Sequence, residues 1–144
     1  MSKPLKGDPF SIRLSRPTDH FVAHEARRTG RSKSAIVEAL TEEAARTRRF
    51  PGIAFRGPDG RRRAWIVGTG LDVWQIVEAS RDREGSSERL LAETEVSERA
   101  ARLALAYAAE FPDEVDQLIA DNRPPLDEFR ALYPFIEIVE LSNP

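Results

Sequence analysis

The sequence has no cysteine, two histidines and one methionine. The missing thiols exclude disulfides, thiol catalysis and cysteine-bound zinc. Lysine is scarce, 3 residues beside 19 arginines. That skew, together with 18 alanines, follows from a genome rich in G and C, so the number of arginines alone marks no binding surface. No run reaches the ~18 apolar residues that a membrane span requires. Met1 to Lys6 lacks an apolar signal core, so a cytoplasmic location is expected. Gly68-Thr69-Gly70 is not followed by the Gly-Lys of a phosphate loop. His20 and His24 have the i, i+4 spacing of a metal-gripping pair, but Phe21-Val22-Ala23 between them holds no glutamate. Asp113, Glu114 and Asp116 read as the acidic start of a helix. No metal, no cofactor and no enzyme are therefore expected.

What is present points to a folded, soluble chain. Its 144 residues, 40% apolar and 32% charged, suit one medium domain or two small ones sharing a core. The net charge of −2 hides an asymmetry. Residues 1–63 hold 15 Lys+Arg and 7 Asp+Glu, a balance of +8, whereas residues 64–144 hold 7 and 17, a balance of −10. A basic front for a polyanion and an acidic back for a different partner is the physical reading.

Residues 1–8 read as a flexible arm. Phe10 to Ser15 alternates, with Phe10, Ile12 and Leu14 on one face, as a half-buried strand does. Arg16-Pro17-Thr18 opens a helix that runs to Thr29, and Gly30 is a left-handed stop. Ser32 can cap a second helix, whose Ile36, Ala39, Leu40 and Ala44 form one apolar stripe before Pro51-Gly52 ends it. Ile53 to Val67 reads as a hairpin around Gly57-Pro58-Asp59-Gly60. Short helices then follow at 73–80, 87–94 and 97–111, the last rich in alanine and expected at the centre of the core. A fourth is expected over 113–122, with Val115, Leu118 and Ile119 inward, and a short one over 126–133 after the stiff Pro124-Pro125 joint. Phe135 to Leu141 reads as a late strand or extended tail.

One strand and two helices within about 40 residues cannot bury their own apolar face, and a lone strand leaves its edges unpaired. Dimerisation solves both problems. Two copies pair their strands into an antiparallel ribbon, the helices cover its inner face, and Ser11, Arg13 and Ser15 project from the outer one. Such a ribbon fits the major groove of B-DNA, where arginine reads guanine and serine reads either base type. Phe10-Ser-Ile-Arg-Leu-Ser15 followed by Gly30-Arg-Ser-Lys-Ser-Ala-Ile36 resembles the ribbon-helix-helix repressors of the MetJ and Arc type over residues 9–50. The resemblance implies an obligate homodimer on operator DNA, with Ser11, Arg13 and Ser15 as base readers and Ser32, Lys33 and Ser34 as phosphate anchors.

The back half carries a second resemblance. Ala64-Trp-Ile-Val-Gly68-Thr-Gly-Leu-Asp-Val-Trp-Gln-Ile-Val77, Ser87-Glu-Arg-Leu-Leu91, Ala104-Leu-Ala-Tyr-Ala108 and Pro112-Asp-Glu-Val-Asp116 occur in order. The series is similar to a small helical family, grouped with VapB-like antitoxins, over residues 53–122. Where that family has Gly-Thr-Arg, this chain has Gly68-Thr69-Gly70. The resemblance implies pairing with a PIN-type ribonuclease toxin, whose basic rim an acidic lobe can occupy in place of RNA. Among the large aromatics, Trp74 and Tyr107 are expected in the core, whereas Phe129, Tyr133, Phe135, Ile136 and Ile138 in residues 123–144 are the candidate partner-binding set.

The expected fold class is mainly α with short β. It comprises an N-terminal ribbon-helix-helix as an intertwined dimer, then a β-hairpin, then a helical domain resembling a helix-turn-helix. The expected function is an antitoxin that represses its own operon and blocks a toxin. The alternative is a stand-alone regulator whose back half oligomerises or senses a ligand.

Overall fold

In the computed structural model, residues 5–123 and 126–135 are described, Leu126 and Phe129 through their backbone alone. The order is α1 (Arg16–Thr29), α2 (Lys33–Arg49), β1 (Ile53–Arg56), β2 (Arg63–Ile66), α3 (Val73–Arg81), α4 (Ser87–Glu93), α5 (Glu98–Glu110), α6 (Pro112–Asn122) and α7 (Leu126–Leu132). The protein is mainly helical with one small antiparallel sheet of two strands. Among the described residues no helix is long and apolar enough to cross a membrane.

Helix starts follow the hydroxyl caps. Ser32, Ser86 and Ser97 accept from the backbone N–H of Ala35, Arg89 and Ala100. Each satisfies a donor that the first turn leaves open. Gly30 closes α1 at φ 69°, a left-handed conformation that glycine adopts without a Cβ penalty. Pro112 is the first residue of α6, where its missing N–H is an orphan anyway.

The hairpin registers Ile53 with Ile66 and Phe55 with Ala64 on one face, and Ala54 with Trp65 and Arg56 with Arg63 on the other. The first face closes the core. Ile53, Ala64 and Ile66 meet Val73, Ile76 and Val77 of α3, Leu90 of α4, Ala100, Ala101, Ala104 and Tyr107 of α5, and Val115 of α6. The small alanines of α5 permit close helix approach. Ala106 and Ala109 face solvent, so α5 is central along one side only. Ile119 is half-buried and packs against the core as expected, whereas half-buried Leu118 is not part of it.

On the other face of the hairpin two arginines stand opposite each other, a destabilising cross-strand pair unless neutralised. Asp72, buried at the start of α3, pairs with both and offsets their repulsion. Its Oδ1 accepts from Arg56 Nε at 2.8 Å and its Oδ2 from Arg63. The indole of Trp74 donates to the same carboxylate at 3.2 Å. The Asp72 N–H donates to the Gln75 side chain at 2.8 Å, which completes the cap.

The front differs from the sequence reading in two ways. Phe10 to Ser15 carries no strand, because a ladder needs a second strand and β1 and β2 are already paired with each other. The stripe on α2 is only partly covered. Ile36 is buried, Ala39 half-buried, and Leu40 and Ala44 are exposed. Helix α1 packs on α2 through Val22, and Leu40 and Ala44 are left uncovered by the described residues. Phe135 carries no strand, and the rest of the expected tail lies outside the described residues.

Candidate nucleic-acid interface

The candidate interface consists of the segment before α1 and the turn between α1 and α2. Ser11 and Arg13 are exposed, and the Arg13 guanidinium has no partner among the described residues. Ser15 has a different local task. Its Oγ caps α1, accepting from the Thr18 N–H at 3.4 Å and donating to the Thr18 hydroxyl at 2.9 Å. It remains exposed, but its hydroxyl is already engaged.

At the start of α2 the Ser32 Oγ is taken by the Ala35 N–H at 3.1 Å. The Lys33 ammonium is paired with Asp19 of α1 at 2.6 Å, so an incoming phosphate would have to compete for it. Both side chains are about half exposed, and such a pair contributes only about 0–1 kcal/mol. Ser34 is exposed. The turn therefore assembles Ser32, Lys33 and Ser34 at a helix start whose dipole favours an anion, with one of the three held in reserve by a carboxylate.

The strong division of charge along the sequence is partly cancelled in space. Arg46 bonds Glu114 at 2.9 Å, Arg49 bonds Glu110 at 2.6 Å, and Arg56 and Arg63 bond Asp72. These basic residues of the front neutralise acidic residues of the back. The guanidinium groups of Arg13, Arg16, Arg27, Arg31, Arg48 and Arg61 have no partner among the described residues, and they lie in the front half. Those cations, rather than the whole excess, are what a polyanion would meet.

No family model matches the chain, and no curated protein or solved structure matches it either.

The contact between front and back is built on Arg46. Its Nη1 donates to the Tyr107 hydroxyl at 2.7 Å and to Glu114 Oε1 at 2.9 Å, and the Tyr107 hydroxyl donates to Glu114 Oε2 at 2.6 Å. The guanidinium also lies 3.9 Å from the Phe111 ring centre. Burial opposes the Arg46 charge, but Glu114 and Tyr107 outweigh it, and the group is held charged more firmly than usual. Burial, reinforced by the hydrogen bond to Glu114, raises the Tyr107 phenol above its ordinary value. No sequence motif announces this triangle, because its members are 61 and 68 residues from Arg46.

Trp74 is half-buried against the core and Tyr107 fully buried, as their positions on α3 and α5 predict. Of the partner-binding candidates, Tyr133 and Phe135 are exposed and their rings meet edge to face with centres 6.2 Å apart. The Phe129 side chain, Ile136 and Ile138 lie outside the described residues. Among those residues no three His, Asp or Glu side chains converge to hold a metal ion. A shallow depression of about 570 Å³ beside Pro51 and Leu103 contains one carboxylate, Glu98, which Arg102 already pairs at 2.7 Å.

Proposed function

We propose that the chain is a DNA-binding antitoxin that acts as a homodimer. The observation that carries the DNA-binding part is the incomplete front. Phe10 is 84% and Phe21 52% exposed, and Ile12 and Leu40 are exposed as well. The leading segment forms neither helix nor strand. A second copy supplies both missing parts, a strand partner for Phe10 to Ser15 and a cover for the apolar side chains. The product is a ribbon-helix-helix dimer. Burying side chains of this size contributes roughly 1.5–3 kcal/mol each.

In that dimer Ser11, Arg13 and Ser15 lie on the outer face of the ribbon and enter the major groove. Arg13 carries most of the base reading, since Ser15 is engaged as a cap. Ser32, Lys33 and Ser34 hold the flanking phosphates. The back lobe, with its helices α3, α4 and α5 in a helix-turn-helix-like succession, serves a protein partner, a PIN-type ribonuclease. The exposed Leu132, Tyr133 and Phe135 support an apolar contact with that partner, and the acidic balance of residues 64–144 supports a basic surface on it.

Titration of the intact chain onto the duplex upstream of its own gene tests the DNA-binding part. Arg13→Ala should weaken specific binding by about 1–3 kcal/mol per guanine contact. Unchanged affinity would remove the ribbon as the reading head. Expression together with the neighbouring gene products tests the antitoxin part through a co-purifying ribonuclease whose activity is blocked.

A further inference from the structure

We infer that the tip of the β1–β2 hairpin is a second, sequence-independent contact to the DNA backbone, placed beside the α1–α2 turn. The inference rests on the DNA-binding reading above and extends it to an element outside the ribbon-helix-helix unit.

Three observations lead to it. First, the tip is fastened to the front. Asp59 pairs with Arg28 in the last turn of α1 at 3.0 Å, and Arg62 pairs with Glu43 of α2. Arg62 also donates to the Phe55 carbonyl at 2.9 Å and the Gly57 carbonyl at 3.2 Å, which closes the loop on itself. The tip is thereby held next to the chain reversal that presents Ser32, Lys33 and Ser34. Second, the acidic groups near it are occupied. Asp59 and Glu43 face Arg28 and Arg62, and Glu25 faces Arg28 at 2.6 Å. Third, cations remain. Arg61 on the tip, Arg27 on α1 and Arg31 in the turn are exposed, and their guanidinium groups have no partner among the described residues.

A fastened tip whose carboxylates are paired, and which leaves arginines of α1, the α1–α2 turn and the hairpin open, is suited to a dense polyanion. Guanidinium forks match phosphate oxygens two at a time, and B-DNA presents one charge per about 1.7 Å of axis. Nothing at the tip reads a base edge, so the contact adds affinity without sequence preference. In a dimer the tip occurs twice and lengthens the footprint on both sides of the ribbon.

The test is the salt dependence of binding by the full-length protein. Two duplexes of about 30 base pairs serve as probes, one from upstream of the chain's own gene and one with the same bases shuffled. Log affinity is followed against log salt from about 50 to 200 mM. Arg61→Ala should flatten the slope by about 0.9 per lost contact, about 1.8 for two tips, on both duplexes alike. Arg61→Glu should weaken binding further. Arg102→Ala on α5 makes the same change in net charge and should leave the slope unaltered. The Arg61 side chain has no partner among the described residues, so both variants should keep the wild-type circular dichroism. Tight wild-type binding with an unchanged slope in Arg61→Ala would overturn the hairpin contact and leave the ribbon reading intact. An equal loss in Arg102→Ala would reduce the effect to net charge and overturn it too. Absence of wild-type binding to either duplex would overturn the DNA-binding reading together with it.

Discussion

Replacing Arg46 should cost far more than replacing Arg49, although both arginines pair with a glutamate of the back lobe. The Arg46 side chain is 17% exposed and the Arg49 side chain 65%. Arg46→Met retains the apolar stem against Phe111 but removes the donors to Tyr107 and Glu114, and with them the bond to exposed Glu42 within α2, worth about 0.3–0.5 kcal/mol. A hydrogen bond to a charged group contributes about 1.5–3 kcal/mol. Tyr107 keeps its own bond to Glu114, and half-exposed Glu114 recovers some water, so the losses do not add in full. The expected cost is about 2–3 kcal/mol. The exposed Arg49–Glu110 pair should contribute about 0.2–1 kcal/mol. Urea unfolding followed by circular dichroism measures both variants against the parent. Glu114→Gln in a double-mutant cycle with Arg46→Met should show coupling of about 0.5–3 kcal/mol. If Arg46→Met and Arg49→Met agree within about 0.5 kcal/mol, the size of a surface effect, Arg46 is not the joint between front and back.

Other outcomes follow from the same geometry. Gly52 has φ 105°, and a Cβ there would stand 2.9 Å from the Leu103 side chain and from the Arg99 guanidinium. Gly52→Ala should therefore destabilise by about 1–3 kcal/mol, read as a lower urea midpoint with unchanged slope. Glu25 is held below the ordinary glutamate pKa first by its hydrogen bond from Arg28, and Glu93 by that from Arg89. Their stabilisation is present above the unfolded value of 4.5 and is lost as pH falls through the lower folded value. A stability profile should be flatter in Glu25→Gln between pH 4.5 and the lower folded value, and an identical profile would count against the pairing. Removal of residues 124–144 should leave the circular dichroism of the remainder and its DNA binding in place while abolishing the ribonuclease complex. Melting of the back lobe on truncation would assign those residues to its own core.

Local structure was legible wherever a single residue decides a backbone conformation. Ser32, Ser97 and Gly30 mark helix ends by their chemistry, and Gly57-Pro58-Asp59-Gly60 marks the hairpin. The inward set Val73, Ile76 and Val77 follows from helical period alone, and all three are buried. What escaped is non-local. Asp72 reads as a helix cap, yet its carboxylate mainly reconciles two opposed arginines across the hairpin. Ser15 alternates as a strand residue, yet sits one position before a proline-led helix and caps it. The sum of charges over residues 1–63 overstates the free basic surface, because pairing across dozens of residues is invisible to a count. The stripe Ile36, Ala39, Leu40 and Ala44 is correct as a helical period, but period alone does not say whether the cover comes from the same chain.

That last point has a direct measurement, the mass of the intact protein by light scattering coupled to size exclusion. The account predicts a particle of twice the 16.2 kDa chain mass. Ile12→Pro removes a ladder donor and core area together, and it should convert that particle to a monomer with loss of DNA binding. A stable, folded monomer of the unaltered chain across the concentration range in which it binds DNA would contradict the account.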